Sequence, residues 1–235
     1  MKGMKASIGV EKVFEEQMRK WELQRSLDRT QDAKERPEAQ KFTFVTLSFE
    51  LGSQGEQVTQ ELQQLTDWQV YDKEILDYMA KDLHVHRQVL ASLDERRMGI
   101  VEECLDTFSG DRVPGYYSYK HHLMKVLMVI AHHGNAIIIG RAAGMVLPRQ
   151  AGLSTRIVAP LQTRSARYAQ ETDIELPRAQ EVVADYDHRQ KKFVKDFVHK
   201  DISDPVHYDL VINTEHINPP AAAKVIHHAL QTRNG

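Results

Sequence analysis

One cysteine, Cys104, stands in 235 residues, so no disulfide can form within the chain, and a small sulfur-stapled scaffold is excluded. No apolar run approaches the roughly 20 residues a membrane-spanning helix needs. The first residues lack the continuous apolar stretch of a secretory leader. These absences set the expectation of a cytoplasmic, soluble protein with no membrane partner. Charge of one sign is missing as well. Lys and Arg number 31 against 33 Asp and Glu, for a net charge of −2 and a pI near 6.6. Without a basic footprint, composition argues against a nucleic-acid partner. Internal repeats and low-complexity tracts are also absent. What is present is a hydrophobic content of 41%, enough for one large domain or a domain with appendages.

The chain opens on residues 8 to 28, where Val10, Val13 or Phe14, Met18, Trp21 and Leu27 form an interrupted apolar stripe at helical spacing. Mixed charges fill the other face, which suits packing on the main domain, on a second copy in a homodimer, or on another partner. Residues 29 to 41 are polar, contain a proline and read as a linker. Thr43-Phe44-Val45-Thr46-Leu47 is β-branched and apolar, the pattern of a buried strand. The turn Ser48 to Gly55 follows, and Val58, Leu62 and Leu65 then mark an amphipathic helix. Trp68 to Tyr71 is a short strand, and Asp72 can cap the helix carrying Ile75, Leu76 and Met79. Helical patterning continues over 84 to 108, a turn-rich loop spans Gly110 to Gly115, and a strong helix covers 118 to 133. Ala136 to Ile139 is apolar without alternation, as in a parallel strand covered on both faces. Gly140 to Gly144 comes directly after it. Strands at Thr155 to Ala159 and Tyr208 to Asn213 alternate with helices at about 162 to 171, 177 to 194 and 219 to 230.

Alternation of this kind implies an α/β fold, a parallel sheet with helices on both faces. Ligands in such sheets bind beyond the carboxyl ends of the strands. Three polar turns fall there: Ser48 to Gly55, Gly140 to Gly144 and Pro160 to Arg164. The first has the build of a phosphate cradle, in which glycines let backbone N–H groups at a helix start approach an anion. A full phosphate loop reads G-x-x-x-x-G-K-[ST]. Here Gly55 stands in place of the lysine when Gly52-Ser53-Gln54 is aligned, and Glu56 and Gln57 follow. An ordinary strand–turn–helix corner fits the same residues. Arg141, after a strand and a glycine, can offer a planar fork to a phosphate. A surface arginine is the alternative. Arg164 and Arg167 share a helix face, and Asp187 and Arg189 lie on the next, charged helix. They could supply the cations that phosphoryl transfer requires, or belong to a solvated face. The adjacent histidines His121-His122, His132-His133 and His227-His228 do not face one another on a helix and make poor metal chelates.

Several segments together resemble the cytidylate kinase-like family. The family's strand followed by S-R-x-x-G-S-G-G-R is similar to Ser48 to Glu56, and its F-Y-D-[KR]-E-[IL] is similar to Val70-Tyr71-Asp72-Lys73-Glu74-Ile75. Its I-I-G-R-[GA]-A is matched by Ile138 to Ala143, its R-x-x-R by Arg164 and Arg167, its D-x-R by Asp187 and Arg189, and Y-D-L-V-I-N-T by Tyr208 to Thr214. The likeness covers residues 42 to 231. It implies a P-loop nucleoside monophosphate kinase-like fold after an N-terminal helix and linker, 1 to 41. A substrate-binding insertion is expected at about 72 to 118 and a lid at about 164 to 204. The implied reaction moves the γ-phosphoryl group of ATP, taken with Mg2+, onto CMP or a similar nucleoside monophosphate. In that reading Gly52, Ser53, Gln54, Gly55, Glu56 and Gln57 hold the ATP phosphates. Tyr71, Asp72 and Arg141 hold the acceptor, and Arg164, Arg167, Arg189 and Asp187 act on the transferring group. No metal is assigned to protein side chains. The family's two glycine-loop arginines are replaced by Phe49 and Glu56, and one glycine by Gln54. Two readings therefore stand: a working kinase, or a non-catalytic member that binds a nucleotide or a protein partner.

Overall fold

The computed structural model describes residues 2–30, 44–93, 98–99 and 116–233. Thr43, residues 31 to 41 of the expected linker, residues 94 to 97 and 100 to 108 of the expected helical stretch, Cys104 among them, and the Gly110 to Gly115 turn lie outside the described residues. The described chain divides into two compact units, one of residues 1–39 and 71–134, the other of residues 40–70 and 135–235.

The second unit is built on the sheet. Strands β1 (Phe44–Phe49), β2 (Gln69–Tyr71), β3 (Ala136–Ile139), β4 (Gly152–Val158) and β5 (Leu210–Asn213) lie in the order β2-β3-β1-β4-β5. β1 pairs in parallel with β3 and β4, and β4 with β5. Val45, Leu47, Ile137, Leu153 and Ile157 are buried within it, as uninterrupted apolar strands demand. The helices α2 (Gly55–Thr66) and α9 (Pro219–Arg233) cover one core, where Val58 and Leu62 meet Ala222, Ala223, Ile226 and Leu230. Two further helices, α7 (Leu161–Thr172) and α8 (Leu176–Val198), pack on each other, and a single turn, α6 (Ala143–Val146), follows β3.

β4 starts three residues before the expected Thr155, at Gly152. Glycine reads as a turn in sequence, but here it is a strand residue paired with Phe44, and a Cβ on it would stand 1.9 Å from the Phe44 ring. The glycine is needed for that close approach. β5 is shorter than expected, since Tyr208 and Asp209 precede it and the Asp209 carboxylate accepts the Ser154 N–H instead.

The other unit is helical: α1 (Lys2–Thr30), α3 (Lys73–Lys81), α4 (Leu83–Ala91) and α5 (Tyr116–His133). Asp72 and Asp82 begin α3 and α4 as caps, each accepting two first-turn N–H bonds on one carboxylate oxygen. Leu76, Met79, Val89, Leu123, Leu127 and Ile130 are fully buried. α1 joins them through Phe14, edge-on to Tyr78 at 5.8 Å, and through Trp21, whose ring lies 4.1 Å from that of His133 at an interplanar angle of 11°. No described helix is long and apolar enough to cross a membrane.

Candidate functional site

Strand register brings the three turns to one sheet edge. Leu47 is level with Ile139, and Phe49 with Ile157. Past those residues Gly140 donates its N–H to Leu47 O at 2.9 Å, and Glu50 donates to Ile157 O at 3.2 Å.

The glycine corner is tight. Gly52 has φ +78°, and a Cβ there would meet Arg164 O at 2.4 Å, so only glycine fits. Gln54 takes a left-handed φ of 60° ahead of α2 and offers no side-chain cap. The Ser53 N–H closes a turn onto Glu50 O at 3.0 Å, the Ser53 hydroxyl donates to the same oxygen at 2.6 Å, and Thr214 Oγ1 donates to Ser53 O at 2.7 Å. Ser53 is thus committed inward. The first-turn N–H groups of α2, on Gly55, Glu56 and Gln57, have no intrahelical acceptor and remain for an anion. Glu56 places a carboxylate in that same turn, where it already complements the helix dipole. Phe49 packs its ring over Gly55, close enough that a Cβ on Gly55 would stand 2.2 Å from it. These residues, with Glu50, Arg167, Tyr168 and Glu171, line a hollow of about 510 Å³.

Arg164 does not extend into that hollow. It is 5% exposed. Its guanidinium donates to Asp187 twice (2.8 and 3.2 Å), to Ala159 O (2.9 Å) and to Leu51 O (3.2 Å), and stands 3.2 Å from Glu50. Glu50 also binds Arg156 at 3.2 Å, and Arg156 donates to Ser48 Oγ at 2.9 Å. The result is a buried chain of charges, Arg156–Glu50–Arg164–Asp187, that ties β4, the glycine corner, α7 and α8 together. Asp187 is its last member. Arg167, one helical turn from Arg164, does reach the hollow. Its Nη2 donates to Thr214 O at 2.8 Å, while its Nη1 is buried with no hydrogen-bond partner. Arg189 lies on the exposed face of α8, 3.0 Å from Asp185.

The corner after β3 differs. Gly140, Arg141 and Ala142 have φ of 70°, 50° and 55°, three consecutive left-handed residues of which two carry side chains, a strained run that costs on the order of 1–2 kcal/mol per non-glycine residue. The Arg141 guanidinium lies 4.8 Å from the centre of the Phe193 ring. Around it Thr46, Ser48, Ser154, Gln190 and Tyr208 line a separate cleft with about 20 Å³ of space, enough for one water. The glycine hollow and this cleft share no lining residue, although Ser48 and Phe49 are consecutive.

Tyr71 and Asp72 belong to the helical unit. Tyr71 is 1% exposed, burial raises the pKa of its hydroxyl, and its ring stacks 6.5 Å from Trp21. Asp72 uses Oδ1 as the α3 cap. Among the described residues no group of three His, Cys, Asp or Glu could hold a metal ion. Magnesium in this setting would ride on the phosphates of a nucleotide, with at most one or two carboxylates from the chain; Glu56 is a carboxylate already at the hollow.

Sequence reasoning passed over Glu50, Arg156 and Thr214 as site residues, and noted Phe49 only as standing where the family has an arginine. Arg156 carried a signal: an arginine inside an apolar strand is rarely buried without a partner. Glu50 and Thr214 carried none, because their partners Arg156, Arg164 and Ser53 lie far along the chain.

Comparison with known proteins fits this geometry. Residues 44–216 match the model of the cytidylate kinase-like family, a span from β1 to just past β5 that includes all three corners. A cytidylate kinase of Thermoplasma volcanium is 24% identical over 184 residues, 77% of this chain and 88% of that one. A cytidylate kinase of Pyrococcus horikoshii is 30% identical over 100 residues, 43% of this chain and 52% of that one. An uncharacterized protein of Eubacterium ventriosum shares the fold, with a TM-score of 0.57 at 18% identity over 80% of this chain and 98% of that one. With the parallel sheet, the glycine corner and the arginine-bearing turn after β3 all inside the matched span, the chain belongs to the cytidylate kinase-like family.

Proposed function

We propose that the chain is a nucleoside monophosphate kinase-like phosphotransferase, moving the γ-phosphoryl group of ATP to CMP or a similar nucleotide. The observation that carries this reading is Arg167, which lines the glycine-loop hollow and whose Nη1 is buried beside it without a hydrogen-bond partner, so that a small turn of the side chain offers it to a ligand there. A buried donor without an acceptor is costly, and a phosphate oxygen would satisfy it. The first-turn amides of Gly55 to Gln57 would hold the donor phosphates beside it. Arg141 would hold the acceptor's phosphate, whose oxygen attacks the γ-phosphorus as the bond to the β-phosphate oxygen breaks and ADP leaves. Catalysis of this kind is positioning and charge neutralisation. Arg164 and Asp187 are positioning residues here, since Arg164 grips the Leu51 carbonyl of the glycine corner. The Arg141 cleft holds only about 20 Å³, so an acceptor enters only if α8, which supplies Gln190 and Val194, moves back as a lid. Arg189, exposed on that helix, would travel with it. Tyr71 and Asp72 would lie near the acceptor base.

A second reading has its own observation. Glu56 occupies the first turn of α2 and the Ser53 N–H is committed to Glu50 O, which together weaken a polyphosphate cradle and favour a non-catalytic nucleotide binder. Titration calorimetry of the full chain with ATP–magnesium and with CMP, alongside an ADP-release assay, separates the two. Binding of both with transfer supports the kinase, and Glu56→Arg then raises the rate about tenfold or more, by analogy with gains from added arginines. Binding of CMP alone, or of neither, overturns it.

A further inference from the structure

We infer that the C-terminal end of α8 and the loop behind it form a second anion site, for a small molecule bearing consecutive phosphate groups. His188, Lys191, Lys192, Lys195, Lys200 and Asp201 line a shallow hollow of about 650 Å³. His188, Lys191, Lys192 and Lys195 recur at helical spacing and so share one face of α8. The 1.5 Å rise per residue sets Lys191 and Lys195 about 6 Å apart along the axis. After His199 ends the helix with φ 58°, the chain turns back and adds Lys200. The floor is firm: Val194 and Ile202 are buried with Met145 and Tyr208, and Lys200 Nζ donates to Met145 O at 3.3 Å.

Lysines near a helix C-terminus commonly offset its dipole, but that dipole amounts to about half a charge. Here there are four. Asp196 pairs with Lys192 at 3.2 Å, and Asp201 approaches Lys191 at 3.9 Å. Lys195 makes no ion pair within 4.0 Å among the described residues and acts on Asp201 only at longer range, and Lys200 has only a carbonyl. The four lysines therefore outnumber the two carboxylates set beside them, Asp196 and Asp201, in a chain whose net charge is −2. The Asp201 carboxyl records the local field: its pKa is lowered, first by the Ser203 N–H and then by Lys191 and Lys195.

The lining selects the ligand. It contains no apolar side chain to hold a lipid tail, and His188 is its one ring. Ammonium groups are compact, mobile point charges with three donors each, suited to phosphate oxygens. Four lysines over little more than one helical turn neutralise too few phosphates to hold a duplex at physiological salt, and the overall negative charge repels one. The site stands apart from phosphotransfer at the glycine loop.

The probe is inorganic tripolyphosphate, titrated calorimetrically into the full chain. Saturable binding is expected, weakened at least tenfold in Lys191→Gln/Lys195→Gln/Lys200→Gln while circular dichroism and Tm are unchanged. Any tripolyphosphate held in the glycine-loop hollow is a separate binding event, and the event lost in the triple variant persists in Arg167→Gln. ATP that displaces tripolyphosphate identifies a nucleotide's phosphate tail as the ligand; ATP that fails to do so identifies free polyphosphate, and either result supports the site. Absence of saturable binding, equal binding by the triple variant, loss of all binding in Arg167→Gln, or tighter binding of duplex DNA through the same lysines overturns it.

Discussion

In the sheet unit, the two buried arginines of the charge chain, Arg156 and Arg164, are answered by the carboxylates of Glu50 and Asp187. In the helical unit the buried polar side chains among the described residues, Gln17 and His86, are uncharged. His86, 5% exposed, stacks on His122 at 4.2 Å with its Nδ1 unpartnered, and Gln17 Oε1 is likewise buried without a partner. The contrast teaches what each unit tolerates. A closed set of ion pairs fails when one member is removed, whereas a neutral imidazole fails when it is charged.

The largest effect is expected from Arg164→Met. It leaves Asp187 and part of Glu50 without their cation and cuts the grip on Leu51 O, at a cost of about 3 kcal/mol or more. Urea denaturation measures it. A loss below about 1 kcal/mol would place the pairs among ordinary surface contacts and erase the contrast. Next comes acid. The His86 pKa is lowered to about 4, first by desolvation and then by His122, Lys125 and His121. The unfolded chain therefore takes up a proton that the folded chain refuses. Stability from this group is complete above the ordinary histidine value near 6.5 and falls as pH drops from there through about 4. His86→Leu should flatten that part of the pH dependence while Arg164→Met keeps it; equal slopes in wild type and His86→Leu would break the comparison. The smallest effect is Asp72→Ala, which removes the α3 cap and costs about 1 kcal/mol. Asp72→Asn keeps the cap, so a fall in CMP affinity in that variant alone would assign Asp72 a ligand role separate from its structural one.

Much of the sheet could be read from the sequence because its signals are local. Ala136 to Ile139 is a run that only a strand covered on both faces explains, and Asp72 announces the helix it caps. The site was less legible. Spacing places Arg164 and Arg167 on one helix face, but the carboxylates that capture Arg164 are Glu50 and Asp187, set by tertiary contact. The same three-residue spacing therefore gives one arginine buried in a structural lock and one at the hollow. Gly152 shows the converse, a turn-forming residue placed in a strand because Phe44 covers it.

Trp21 lies flat on His133, whose Nε2 is 2.9 Å from Ser92 Oγ. An indole in such contact emits light according to the state of the ring beneath it. The chain therefore carries its own optical gauge of whether the first helix is seated, readable without a label once the other indole, Trp68 beside the sheet core, is replaced by Phe.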